Sequence, residues 1–490
     1  MNSSLDPGPP STGAAAGGKD GDFPPLPGPT GLPFAGSLID FFRDMPELSL
    51  RVARNHGDLA TFRLGSRRVV LVSRPEWIGD ILVTHSRNFV KSRGLQRAKK
   101  LLGEGLLTSE GAFHLRQRRL SQHAFHRSRM EHYSQIMIDC ARSTRDRWMA
   151  APAGEMDVVR EMNRLTLEIV GKTLFDADVA DQAEEVRGAL SDVLEVFPLM
   201  VTPFGELFDR LPFGPAQRFL KARAKLDAVL YKVIEDRRES TGDRGDLLSM
   251  LLTATDDETD GSRMSDEQLR DELMTIFLAG HETTANALSW TWLLLSRNPE
   301  VERKLHQELD EALEGRDPRP ADVDRLPYTR CVFAESMRIY PPAFILGRQN
   351  LETYRIGEYQ FPPGTAFFMC PYVSHRDPRY FPDPERFDPE RFRPAAIEQR
   401  PKFCYYPFGG GNRVCLGERF AWSEGILLLA TLAQRFRLKL RPGFEVKHRA
   451  SMVLRPRGVL PMWLTTRVLP PDSGPEGKTA PEVEAPITNG

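Results

Sequence analysis

Apolar positions recur at two different spacings along this chain, and the changes between them mark its elements. Leu59-Ala60-Thr61-Phe62-Arg63-Leu64 and Val69-Val70-Leu71-Val72 are short apolar-rich runs on either side of Gly65-Ser66, the pattern of two strands in a hairpin. From Ala112 the segment His114-Leu115-Arg116-Gln117-Arg118-Arg119-Leu120 reads as a helix, and residues 156–240 are helical by pattern. Inside that stretch, Phe197-Pro198-Leu199-Met200 and Val201-Thr202-Pro203-Phe204 read as apolar loop. Ser265 followed three residues later by Gln268 is a capping-box pattern, and a long helix is predicted from there to Ser296. Asn298-Pro299-Glu300 then opens the next helix. About 30 residues at 1.5 Å each give roughly 45 Å, enough to cross a domain of this size. A last change follows Phe408-Gly409-Gly410-Gly411-Asn412-Arg413-Val414-Cys415: beyond it, Phe420, Ile426, Leu427, Leu428 and Leu432 recur at helical spacing.

The ends depart from this pattern. Residues 1–22 are rich in Ser, Pro, Gly and Ala with no apolar core, so neither a signal peptide nor a membrane anchor is expected there. That segment and residues 470–490 are expected to be disordered. Pro24, Pro25, Pro27, Pro29 and Pro33 stiffen an extended lead-in segment, for which a docking peptide is the alternative. No composition break divides the interior, and residues 23–469 are expected to form one domain. Lys plus Arg (66) nearly balances Asp plus Glu (67), which argues against a general nucleic-acid binder. The five cysteines are odd in number and unpaired in sequence, as expected of a reducing compartment such as the cytoplasm.

Cys415 is the candidate for chemistry. It lies between a glycine-rich loop and a helix start, where N–H groups and the helix dipole favour a thiolate. Cys404 precedes Tyr405-Tyr406-Pro407, has no adjacent glycine loop and opens no helix, so it is the weaker metal ligand. In the long helix, Gly280 suggests a close approach or a kink. Thr283 either bonds back to the Ala279 carbonyl or acts on a ligand. His114 and Arg118 share a helix face, and Arg116 and Arg119 lie on another stripe. Those two, with Arg127 and Arg129, form either a solvated face or a basic dock. Glu335 and Arg338 are three apart, ordinarily a surface ion pair.

The stretch from Phe408 to Gly417 resembles the haem-binding signature of cytochromes P450, Phe-x-x-Gly-x-Arg-x-Cys-x-Gly, at every specified position. Ala279-Gly280-His281-Glu282-Thr283-Thr284 is similar to that family's oxygen-binding motif, with His281 at the variable place. Glu335, Arg338 and Arg391 fit a bracing cluster of the family. The resemblance covers most of the chain and implies a mainly α fold with a small β region, the cytochrome P450 fold. It also implies one haem b on a Cys415 thiolate, with Phe408 and Gly280 beside it. Propionate donors would be His114, Arg118, Arg348 and Arg413, although tryptophan is more usual where His114 stands. Glu282 and Thr283 would relay protons to dioxygen. Phe277, Ala343-Phe344-Ile345-Leu346 and Met452-Val453-Leu454 are candidate pocket walls for an apolar substrate such as a fatty acid, terpenoid or steroid.

The expected protein is thus a monomeric monooxygenase without a transmembrane anchor. It would draw electrons from a separate ferredoxin or flavodoxin and its reductase, with Arg116, Arg119 and Arg419 as docking candidates. A haem-thiolate peroxygenase and a non-catalytic haem sensor or electron carrier are the alternatives; neither needs the Glu282–Thr283 pair.

Overall fold

A computed structural model of the chain describes residues 25–467, apart from 152–153, 176–187, 190–191, 194–195, 197–213, 240–243 and 257–260. The expectations for 1–22, 470–490 and the apolar loop at 197–204 therefore fall outside the described residues.

The architecture is mainly helical. Its principal helices are α1 (Leu38–His56), α2 (Gly111–Gln122), α3 (Arg127–Ala150), α4 (Val158–Phe175), α5 (Asp266–Arg297), α6 (Pro299–Leu313), α7 (Pro327–Ile339) and α8 (Glu418–Ala433). The capping box at the start of α5 is complete. Gln268 N–H donates to Ser265 Oγ at 3.2 Å, and Ser265 N–H donates to Gln268 Oε1 at 3.0 Å. At 32 residues the helix is about 48 Å long. It is buried on almost every side, and its buried residues include charged and polar ones such as Arg270, Glu272, His281 and Glu282 as well as apolar ones. Helices α4, α7 and α8 pack against it, joined by the large core cluster that holds Trp290, Trp292, Phe333 and Leu427. One stretch breaks this burial. In the middle of α5, Ala279 is exposed and Gly280 and Thr283 are half-buried, although residues on both sides are buried.

The β region is a five-stranded sheet of β1 (Leu59–Leu64), β2 (Arg67–Val72), β3 (Phe89–Lys91), β4 (Leu346–Asn350) and β5 (Ala366–Met369), in the order β1-β2-β5-β4-β3. The predicted hairpin is present, and its second strand begins at Arg67 because the ladder runs on to pair Leu64 with Arg67. Strands β2 and β5 are parallel; the other pairs are antiparallel. The proline-rich lead-in packs on the body, where Thr61 N–H donates to the Pro27 carbonyl at 2.8 Å. Two placements matter for function. Strand β4 runs beside the glycine loop, with Leu346 next to Gly409, and β3 sets Lys91 directly opposite Arg348.

Candidate functional site

The loop from Phe408 to Gly417 is shaped by its glycines. Gly409 and Gly411 have φ of +73° and +69°, and a Cβ on Gly411 would fall 2.0 Å from the Leu82 carbonyl oxygen. Only glycine fits there. The turn brings Cys415 N–H onto the Phe408 carbonyl at 3.0 Å, and Gly417 then caps α8. Cys415 has open surface, yet burial pushes its thiol up to about 11, with Glu418 adding to the shift and the Gly417 N–H and Arg118 opposing it. Both observations hold if the sulfur faces an inward hollow. A bound cation would lower this thiol's pKa and favour the thiolate.

Beside Cys415 lies a concentration of buried basic groups. Lys91 and Arg348 are paired across β3 and β4, a disfavoured position for like charges. Lys91 Nζ donates to the Leu106 and Ser109 carbonyls at 2.8 and 2.6 Å, and burial with Arg413 nearby lowers its pKa to about 7. Burial, with Arg413 adding, lowers Arg348 to about 10. Arg118 donates to the Val414 carbonyl at 2.9 Å. His114 meets Ser109 Oγ at 3.3 Å, and burial and the surrounding cations lower its pKa to about 3, so it is neutral. Glu110 pairs with Arg413 and accepts from Lys91 N–H at 2.7 Å. Glu272 also faces Lys91, but burial pushes it up to about 8. Lys91, Arg348 and Arg413 thus share Glu110, Arg118 lies beside them on the Val414 carbonyl, and His114 Nε2 and one Arg413 terminal nitrogen are buried without a partner. Such a cluster calls for an anion. Sequence reasoning found His114, Arg118, Arg348 and Arg413 but missed Lys91 and Glu110. The signal for Lys91 was a lysine in phase with Phe89 on the buried face of a strand.

The third part is the open stretch of α5. Thr283 donates back to the Ala279 carbonyl at 2.6 Å. The close approach at Gly280 is made by Val170 of α4, 3.3 Å from where a Cβ would sit. Glu282 is buried, and its Oε1 has no hydrogen bond and stands 3.8 Å from Arg455. Burial raises its pKa to about 7, with Arg455 opposing, so it can hold or release a proton near neutrality. His281 stacks with Phe277 at 6.2 Å, and burial lowers its pKa to about 4. Of the pocket-wall candidates, Ala343, Ile345, Leu346 and Met452 keep open surface, while Phe277, Phe344 and Leu454 are core.

One other expectation changes. Arg116 and Arg119 do not form an outer basic face; both pair with the buried Asp256, at 3.3 and 3.2 Å. Glu335 and Arg338 are fully buried 2.7 Å apart, with Arg391 3.5 Å from Glu335, the bracing arrangement that the resemblance implies rather than an ordinary surface pair. Cys404 is buried in a cluster with Cys331, Phe381 and Phe392.

The family model for cytochrome P450 matches residues 26–459. The chain belongs to the cytochrome P450 family. It is 42% identical to cyclooctatin synthase of Streptomyces melanosporofaciens over 87% of this chain and 92% of that one. Cyclooctat-9-en-7-ol 5-monooxygenase of the same organism is 35% identical, over 85% of this chain and 90% of the relative. Pentalenene oxygenase of Streptomyces avermitilis is 33% identical, over 82% and 89%. Among solved structures, retinoic acid-bound cyanobacterial CYP120A1 matches with a TM-score of 0.82 and 27% identity, over 91% of this chain and all of that one.

The mainly helical fold with small sheets is therefore the P450 fold, and the chain is a haem-thiolate monooxygenase, an oxidoreductase. P450 monooxygenases bind haem through a cysteine thiolate and use dioxygen with electrons from redox partners. Among the described residues, no helix is long and apolar enough to cross a membrane.

Proposed function

We propose that this P450 hydroxylates a terpenoid, with haem lying between Cys415 and the open stretch of α5. The observation that carries the placement is the buried cation cluster beside Cys415. Lys91, Arg118, Arg348 and Arg413 against Glu110 alone suit a group bearing two carboxylates. When bound, haem supplies the redox chemistry that activates dioxygen for insertion into a C–H bond. Cys415 would give up its proton and hold the haem iron through its sulfur. His114, Arg348 and Arg413 would hold the propionates through N–H groups, and those of His114 Nε2 and one Arg413 nitrogen have no protein partner. Glu282 carries protons inward from the half-exposed Arg455 side. Thr283 keeps its oxygen lone pairs available for ordered water while its hydrogen points to Ala279.

The substrate assignment rests on the three Streptomyces relatives, named for cyclooctatin, cyclooctat-9-en-7-ol and pentalenene. The electron donor is a small acidic ferredoxin or flavodoxin docking near Cys415. Exposed Arg419 and Arg330, the latter 4.3 Å from the Trp422 ring, take the place of Arg116 and Arg119 in that dock. All five cysteines are free, in keeping with the cytoplasm.

The test is the product formed per electron donor consumed, using a polycyclic terpene alcohol that produces a substrate-binding spectral change. Thr283→Ala should keep haem and substrate binding while that ratio falls about tenfold or more. An unchanged ratio would overturn the relay. Binding of fatty acids with no response to any terpenoid would overturn the substrate class.

A further inference from the structure

Phe403 precedes the cysteine loop with φ of +65°, in the left-handed region that a bulky aromatic residue rarely adopts. Strain of this kind persists only where the surrounding structure holds it, and it gathers at functional sites. The contacts of the ring account for it here. One edge lies against Gly410 of the cysteine loop, where a Cβ would fall 2.4 Å from Cε1 and 2.9 Å from Cζ. The other edge lies against Gly79, where a Cβ would fall 2.9 Å from Cδ2. Neither glycine is required by its own backbone. Gly410 is extended, with φ of −173° and ψ of 168°, and Gly79 is helical, with φ of −61° and ψ of −39°. Alanine would suit both conformations, and in a helix it is preferred. The ring is what denies both positions a side chain.

The backbone hydrogen bonds of the turn are internal to it. Gly409 N–H donates to the Tyr406 carbonyl at 3.0 Å and Val414 N–H to the Gly411 carbonyl at 3.1 Å, besides the bond from Cys415 to Phe408. Such bonds set the shape of the loop but not its place in the molecule. On the glycine side that place is set by the helical segment Pro75–Gly79, which continues as a π-helix over Asp80–Thr84. Its Leu82 carbonyl meets Gly411, and the Phe403 ring bridges Gly79 to Gly410. Ile78, Ile81, Leu82 and Tyr406 belong to the apolar cluster on which the ring packs. We propose that Phe403 is a positioning residue for Cys415, a wedge between Gly79 and Gly410 that fixes where the loop presents its sulfur. This rests on Cys415 as the haem ligand.

Gly79→Ala adds a methyl on the side of the ring away from the loop, and by helix propensity alone it should do no harm. In the haem-loaded full chain it should nonetheless press the ring toward Gly410. Haem should then dissociate about tenfold faster, and the carbon monoxide spectrum of the reduced protein should lose thiolate character. An unchanged rate and spectrum would overturn the proposal. Gly410→Ala should have the same effect from the loop side, and Phe403 should couple to it. With Phe403→Ala present, adding Gly410→Ala should speed dissociation less than about twofold, against about tenfold in the unaltered background. Equal effects in the two backgrounds would overturn the wedge. If Phe403→Ala does not fold, Phe403→Leu takes its place in the cycle, and if neither folds, Gly79→Ala decides alone. An unaltered chain without a thiolate-type spectrum would overturn the haem reading and the wedge together. A thiolate-type spectrum and dissociation rate that survive Gly79→Ala would remove the wedge alone.

Discussion

Arg338 is a fully buried arginine and Arg413 a largely buried one, and their surroundings differ in kind. Arg338 is enclosed by acceptors. It grips Glu335 through two nitrogens at 2.7 and 2.8 Å, and donates to the His375 and Arg386 carbonyls at 2.8 and 3.2 Å. Glu335 also accepts from Asp388 N–H at 3.0 Å and has Arg391 3.5 Å away. His375 Nε2 accepts from Tyr406 N–H at 3.0 Å, which ties the assembly to the approach of the cysteine loop. Arg413, by contrast, shares Glu110 with other cations and keeps a buried nitrogen unpartnered. An arginine whose nitrogens are all satisfied, as in Arg338, braces the fold. A cluster left with excess charge of a single sign marks where a ligand of the opposite sign binds.

The contrast can be broken by substitution. Glu335→Ala leaves buried arginine charge uncompensated and should cost about 3–5 kcal/mol in denaturant unfolding of the haem-loaded protein. A loss under about 1 kcal/mol would mean the network is not the brace described. Arg348→Met should behave oppositely in the two states. Haem should dissociate roughly tenfold faster or more, while the haem-free chain should unfold no more readily than the unaltered one. Equal destabilisation of both states would place Arg348 with Arg338 as a structural residue.

A smaller effect sharpens the comparison through pH. Burial and Arg413 depress the Lys91 pKa from 10.5 to about 7. Between those values the unfolded chain holds more protons than the folded one, so this lysine makes stability rise as pH climbs through the window. Below about pH 7 both states are protonated and the full penalty is present. Thermal unfolding of haem-free protein should therefore improve from neutral toward alkaline pH. Lys91→Met should flatten that trend, and bound haem, by placing carboxylates near the ammonium, should do the same. A slope unaffected by Lys91→Met would assign it to other groups.

Much of this was legible in the sequence because local chemistry dictated it. The capping box of Ser265 and Gln268, the hairpin at Gly65-Ser66 and the glycine turn before Cys415 each depend on neighbouring residues. Partnerships across the fold were not. Asp256 claims Arg116 and Arg119 from a distant loop, and nothing near either arginine reveals it. Lys91 and Glu110 enter the site only because β3 pairs with β4 and α2 begins beside them. The desolvation of the Cys415 thiol was not legible either, because it depends on the whole surrounding fold rather than on the local helix start.

The central claim is that Cys415, and no other cysteine, holds haem iron opposite the open stretch of α5. The carbon monoxide spectrum of the reduced protein tests it most directly, in Cys415→Ser and Cys404→Ser side by side. The account predicts that Cys404→Ser keeps the thiolate-type spectrum and Cys415→Ser abolishes it. A thiolate-type spectrum that survives in Cys415→Ser and vanishes in Cys404→Ser would contradict it.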